Sequence, residues 1–313
     1  MIVLPKINLK NPDTYIIFGL IVLNLFWLPT SSFWNLYPKK EKTIDPKYNP
    51  ILSYQHPQIP KINDNKKGPF LSAQDFILID TDTNTILLSK NKDSRIYPAS
   101  ITKLATAITA LNVYPLDEVI TVNQSYNEGQ NMALQVGEKI SVRSLITALL
   151  VYSANDSAFN LASHYIQNIN GFVDQMNDLA KKYNLQNTHF TNFDGLHNSD
   201  HYSSAYSLSQ LGRLAMRNPI IRETVRLKEV TVTDVSGNIS HNLLSTDELL
   251  DVVPEIEGFK TGWTPEAGEC FLGLININGH YLISVVAQSQ DRFRDTKLLV
   301  DWAKANISWN KYE

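Results

Sequence analysis

The sequence predicts an α+β fold: one mixed sheet drawn from both ends of the globular chain, with a mainly helical region inserted in the middle. Three observations carry this. Strand-like runs open the globular part at Ala73–Asp80, helix-like runs fill the chain from Leu104 to Met216, and from Glu229 the apolar period switches to that of strands. No internal repeat is present.

Taken in order, the chain begins with an apolar run, Tyr15 to Leu28, that follows Lys6 and Lys10. It is short for a spanning helix and suited to a signal h-region, while extension through Pro29 to Trp34 lengthens it toward a span. Residues 1–34 are therefore an export signal or an N-terminal membrane anchor, with Ser32 the one weak cleavage position. Lys39, Lys40 and Lys42 follow closely, so charge asymmetry does not set an orientation. Residues 35–70 carry Pro38, Pro46, Pro50, Pro57, Pro60 and Pro69 among polar residues and read as an extended linker. Residues 71–313 make the main globular domain.

Within that domain Ala73–Asp80 is an apolar strand, Thr81–Asn84 turns it, and Thr85–Leu88 returns as a hairpin. Pro98 then opens the helix-like run Leu104–Leu111; its fixed φ and missing N–H suit a helix entry. Glu118–Val122 reads as a strand, Glu128–Met132 as a loop, and Val142–Leu150 as an amphipathic helix running into a second at Ser157–Ala162. Further helices are expected at Gly171–Tyr183 and Ser207–Met216. Glu229–Val235 alternates and is turned by Ser236-Gly237-Asn238. Phe259–Trp263, Cys270–Ile275 and Tyr281–Ala287 are strands, the last two joined at Asn278-Gly279, and a helix over Asp295–Ala305 follows.

The chain of 313 residues has ample material for a core, and its 28 basic and 31 acidic residues leave a net charge of −3 without a basic footprint for nucleic acid. Cys270 is the single cysteine, which excludes an internal disulfide and a multi-cysteine metal site.

Ser100 and Lys103 stand three apart at the helix entry, so their side chains share a face. A serine hydroxyl needs a nearby base, and a desolvated lysine amine can serve. The pair alone is weak evidence, since Ser89 and Lys92 repeat the spacing in a polar turn. Two further triplets add to it. Ser153-Ala154-Asn155 lies at a helix–helix junction, where a hydroxyl and an amide can face a cleft. Lys260-Thr261-Gly262 lies on a strand whose alternation sends Lys260 and Gly262 to one face, and Gly262 permits close approach of another backbone or a substrate.

In this order the three motifs resemble those of the penicillin-recognising serine peptidases and β-lactamases. The resemblance is greater to the low-molecular-mass penicillin-binding proteins of the D-alanyl-D-alanine carboxypeptidase family. It rests on Tyr97–Leu104, Ser153–Asp156 and Gly258–Thr264, and on the further stretches Ala133–Glu138, Asn192–His197 and His201–Ala205. It covers roughly residues 73 to 305 and implies a β-lactamase/transpeptidase-like fold with an antiparallel sheet flanked by helices. The resemblance further implies a peptidoglycan stem peptide ending in D-Ala-D-Ala as substrate and no cofactor. Ser100 would be the nucleophile, Lys103 its base and Ser153 a proton relay. Asn155, Lys260, Thr261, Gly262 and Trp263 would bind substrate, with the N–H groups of Ser100 and Trp263 as oxyanion donors. Arg292 or Arg294 would help hold the terminal carboxylate, and a second cation near Lys103, with burial, would keep its amine neutral. β-Lactams would acylate the same serine.

Two departures from the family pattern stand out. Members often carry a C-terminal β-rich domain and an amphipathic anchor, whereas here the N-terminal segment is the expected anchor, at the outer face of the cytoplasmic membrane. Where members often read Asn-Thr-Asn ahead of the third motif, this chain has Ser245-Thr246-Asp247. A class A β-lactamase is disfavoured because Leu185–Tyr206 contains no glutamate to activate a deacylating water. A D,D-endopeptidase uses the same groups, and an idle wall- or β-lactam-binding domain is the third reading. His189, His197, His201 and His241 fit no compact zinc spacing, so no metal site is expected.

Overall fold

The computed structural model describes residues 57–63 and 67–310. The export or anchor segment over residues 1–34 and most of the linker over residues 35–70 lie outside the described residues.

A five-stranded sheet forms the centre, in the order β3 (Ile86–Lys90), β2 (Asp75–Asp80), β10 (His280–Ser289), β9 (Gly268–Ile277) and β8 (Ile256–Thr264). The expected origin of the sheet from both ends of the domain holds. Every pairing is antiparallel, so the sheet is not mixed. The strands read as nearly continuous apolar runs because both faces are covered. In β10, Ile283, Val285 and Ala287 enter one core while Leu282 and Val286 enter the other. Ile77 and Ile79 of β2 oppose Leu78 in the same way.

The first core is shared with α1 (Lys103–Val113), α2 (Val142–Val151), α3 (Asn155–Ser163), α4 (Asn168–Lys182) and α5 (Ala205–Ala215). Every residue of α1 from Lys103 to Ala110 is buried, which explains why this helix shows no polar face. The second core is closed by α8 (Arg292–Asn306), which contributes Leu299, Val300, Trp302 and Ala303. Asp295 pins α8 down: its carboxylate accepts from Ser72 N at 2.9 Å, Ala73 N at 2.8 Å and the hydroxyls of Ser72 and Ser289, each at 2.7 Å.

Several small elements were not anticipated. Ile59–Ile62, inside the expected linker, is a strand, β1, paired with β11 (Ile307–Asn310) at the far end of the chain. The boundary at residue 70 therefore moves towards the N-terminus. Pro60 concealed the strand, since proline is tolerated only at such an edge. The strands expected at Glu118–Val122 and Glu229–Val235 are β4 (Val119–Thr121) and β6 (Glu229–Thr233); their partners β5 (Lys139–Ser141) and β7 (Ser240–Leu244), and the short α6 (Pro219–Thr224), were not anticipated. A short α7 (Leu249–Val252) leads into β8.

Candidate active site

Ser100 does not sit in α1 itself but in a 3₁₀ turn, Ala99–Thr102, that feeds it. The spacing still works: Lys103 Nζ donates to Ser100 Oγ at 2.8 Å. The turn is held in an unfavourable backbone conformation, with Ala99 at φ +47°. What holds it is the loop after α4. Gly195, at φ +85°, lies so close that a Cβ there would stand 1.9 Å from the Ala99 carbonyl oxygen. The main chain of Ile96 and Ser203 exchanges hydrogen bonds at 2.8 and 2.9 Å.

Lys103 is 0 % exposed. Its second partner is the main-chain carbonyl of Asp194, also at 2.8 Å. Burial pulls the amine down to about 8, against the opposing Asp194 carboxylate. That carboxylate is itself tied, accepting from Tyr126 Oη at 2.7 Å and Leu196 N at 3.1 Å. Of the two causes expected from the sequence, burial and a second cation, burial is the one that lowers Lys103. The second cation shows its effect elsewhere: Lys103 and Arg292, after burial, lower the proton affinity of Lys260.

Ser153 follows α2 at φ +66°, again a left-handed conformation on a residue with a Cβ, and Asn155 opens α3. Asn155 is committed to the facing loop: its Nδ2 donates to Glu128 O at 2.9 Å and its backbone N to Gln130 O at 2.7 Å. Asp156 fixes the same loop by accepting from Met132 N and Leu134 N, both at 3.1 Å. Ser153 lines the cleft, and neither Lys103 nor Lys260 donates to its hydroxyl.

The third wall is β8, at the edge of the sheet. Gly262 lies against the nucleophile's turn; a Cβ there would meet Ala99 Cβ and Ser100 N at 3.1 Å and Pro98 O at 3.2 Å. Thr261 Oγ1 and Thr246 Oγ1 share a hydrogen bond of 2.6 Å. The cleft encloses a cavity of about 350 Å³, open to solvent, lined by Ser100, Ser153, Asn155, Thr246, Thr261, Gly262, Trp263 and Arg292, with Gly129, Gln130, Gly195, Leu196, Thr264 and Pro265. Trp263, at 59 % exposure, stands at its rim.

Six of the eight residues picked from sequence line this cavity, and a seventh, Lys103, lies directly behind Ser100. Lys260 departs from expectation. It is 1 % exposed, outside the lining, and its Nζ turns back to the Thr261 carbonyl at 3.1 Å. Of the two candidate arginines, Arg292 lines the cavity and donates from Nη1 to Gly262 O at 3.1 Å, whereas Arg294 is exposed and outside it. The decoy Ser89 is exposed on β3, and Lys92 pairs with Asp93.

A family model for D-alanyl-D-alanine carboxypeptidases, peptidase family S11, matches residues 63–291. The chain belongs to this family. A D-alanyl-D-alanine carboxypeptidase of Haemophilus influenzae is 30% identical over 255 residues, covering 76% of this chain and 63% of that protein. A D-alanyl-D-alanine endopeptidase of Pseudomonas aeruginosa is 32% identical over 215 residues, covering 66% of this chain and 68% of that protein. The crystal structure of the Streptomyces K15 DD-transpeptidase superposes with a TM-score of 0.73 at 30% identity, over 77% of this chain and all of that one. The chain thus spans less than two thirds of the length of the Haemophilus relative and the whole of the Streptomyces structure.

Within this carboxypeptidase-family domain, the histidines serve packing. His201 accepts from Thr191 N at Nδ1 (3.1 Å), leaving Nε2 to donate to Thr102 Oγ1 at 2.8 Å. Burial pushes its proton affinity down to about 3, so the ring is neutral. His241 bridges Met132 O at 2.8 Å and Glu138 Oε1 at 2.9 Å, binding the β6–β7 hairpin to the cleft loop. His197 packs edge-on to Tyr97, with ring centroids 4.7 Å apart, and His189 contacts Asp200 O. Sequence reasoning missed three groups. Asp194 acts on Lys103 through its carboxylate and also through a main-chain carbonyl, the second of which leaves no signature in residue type. Thr246 and Asp247 were noted only as a departure, yet one lines the cavity and the other is buried behind it.

Proposed function

We propose that the protein is a serine D-alanyl-D-alanine carboxypeptidase that removes the terminal D-alanine from peptidoglycan stem peptides and is acylated by penicillin. The observation that carries this reading is the fully buried Lys103 amine at 2.8 Å from Ser100 Oγ, lowered to about 8. A lysine held near neutral can accept a proton that an exposed lysine would not.

In this mechanism Lys103 takes the Ser100 proton as Oγ bonds to the carbonyl carbon of the penultimate D-alanine. The N–H groups of Ser100 and Trp263 hold the oxyanion, in a cleft where such donors are pre-oriented. Collapse breaks the amide bond, and the leaving D-alanine amine receives its proton through Ser153. The acyl-enzyme ester is then cleaved by water, with Lys103 again the base. Arg292 and the paired hydroxyls of Thr246 and Thr261 receive the substrate's carboxylate, with Lys260 supplying positive charge from behind Thr261. Asn155 orients the substrate amide. A β-lactam follows the same first step, its ring opening with the leaving nitrogen still tethered.

The endopeptidase reading is favoured by one observation, the 32% identity to the Pseudomonas endopeptidase. Incubating the protein with a free pentapeptide stem and with a cross-linked dimer separates the two. D-alanine release from the first alone supports the carboxypeptidase, and cleavage of the dimer alone would overturn it.

We further infer that the enzyme works outside the cytoplasm, held at the membrane by residues 1–34 with residues 35–58 as spacer. Among the described residues no helix is long and apolar enough to cross a membrane. Deleting residues 1–34 should release an active protein from the membrane fraction. If the truncated protein still sediments with membranes, the anchor lies elsewhere.

A further inference from the structure

Behind the hydroxyl pair of the cavity the protein buries a carboxyl that the steps above do not use. Asp247 is 5 % exposed. Its Oδ1 accepts from Leu249 N at 3.0 Å, but Oδ2 is buried with no hydrogen-bond partner among the described residues. The segment carrying it is fixed on both sides. Thr246 bonds Thr261 through its hydroxyl and Val151 O through its N–H at 3.2 Å, and Asp247 N donates to Ser245 Oγ at 3.1 Å.

The charged groups facing Asp247 are Lys260 of β8, Arg292 of α8 and Asp251 of α7. Both cations lack full satisfaction: Arg292 Nε is buried without a partner among the described residues, and Lys260 has one neutral acceptor. A buried ammonium with a single carbonyl is strongly disfavoured, and Lys103 and Arg292 add repulsion. Asp247 is the acidic group that opposes them at Lys260.

We propose that Asp247 is a positioning residue whose carboxylate is the counter-charge that keeps Lys260 cationic behind Thr261 until the substrate's terminal carboxylate arrives. This rests on the reading of Lys260 given above. Burial pushes the Asp247 carboxyl up to about 7, so above that pH it is ionised and opposes loss of the Lys260 proton. Removing that charge lets Lys260 lose its proton at lower pH, and the cleft loses affinity for an anionic substrate.

The test is Asp247→Asn in the full chain, which keeps the shape and the acceptor for Leu249 N. The readout is the second-order acylation rate with a fluorescent penicillin, itself a carboxylate, from pH 6 to 10. The basic limb should move to lower pH by about one to two units, the effect of one charge in a partly buried site. At pH 8 KM for a D-alanyl-D-alanine peptide should rise more than kcat falls. In a Lys260→Met background the same substitution should leave the pH profile of the residual acylation unmoved, because the group it acts through is gone. A profile that superimposes on that of the parent, moves to higher pH, or shifts equally in the Lys260→Met background overturns the proposal. A wild-type protein that is not acylated at any pH overturns the parent reading first.

Discussion

Gly262→Ala tests how closely the third motif is fitted to the nucleophile. The added Cβ would stand 3.1 Å from Ala99 Cβ and Ser100 N and 3.2 Å from Pro98 O. All three neighbours are main chain or main-chain-proximal atoms of one turn, so no side chain can rotate aside. The backbone of Gly262 itself is not left-handed, so contact alone is at issue. Each contact must open by a few tenths of an ångström, and the turn yields as a unit, carrying Ser100 Oγ and its N–H away from β8. Overpacking of this size costs about 1–3 kcal/mol, hence a Tm drop of roughly 2–12 °C for a domain of this length. The effect on chemistry is larger, because a displacement approaching 1 Å costs about 100-fold in rate. We expect acylation by fluorescent penicillin to slow by about 10- to 100-fold while the melting transition remains cooperative. Gly195→Ala should be worse in both respects, since its Cβ would lie 1.9 Å from Ala99 O and its φ is +85°. Acylation of Gly262→Ala at the wild-type rate would refute the argument that β8 and the nucleophile's turn are in fixed contact.

Ser100→Ala should abolish covalent penicillin labelling with the fold intact, whereas Ser89→Ala should label normally; labelling that survives in the first variant means the nucleophile is another residue. Because Lys103 must be neutral to act, acylation should rise about tenfold per pH unit below about 8 and stop rising above it, before the basic limb attributed to Lys260 sets in. A flat profile from pH 6 to 8 would show that Lys103 is not the base. Asp156→Ala leaves the N–H groups of Met132 and Leu134 without their acceptor and should lower stability by about 3 kcal/mol, read from denaturant unfolding. An unchanged midpoint would mean that water replaces the carboxylate.

The sequence was most informative where one residue type does one job. The spacing of Ser100 and Lys103, the junction at Ser153 and the glycine at position 262 each announced a local geometry, and the cavity gathers them. The strands of the sheet were legible from apolar runs, although burial on both faces removed the alternation that would have separated one face from the other. What stayed hidden works through the main chain or through pairing over long separations. Nothing in the identity of Asp194 says that its carbonyl will hold a lysine 91 residues away. Ile59–Ile62 has too few residues, and a proline, to declare itself before its partner at Ile307–Asn310 is known. Lys260 was assigned to the right motif and the wrong side of the wall, because alternation fixes the direction of Cβ and not the path of a long side chain bent back onto Thr261.

The left-handed backbone at Ala99 and Ser153 bears on how the protein matures. Neither conformation is one that its own residue prefers, so neither can form early from local propensity. Ala99 is held by docking of the Gly195 loop, and Ser153 by the junction of two packed helices. A chain with its helices formed and its sheet paired, but with residues 190–203 undocked, would still lack the Lys103 contact to Asp194 and the turn that presents Ser100. Penicillin reactivity is therefore expected only once that loop has docked. In a refolding experiment, covalent labelling would count finished molecules, and it would lag behind the recovery of secondary structure.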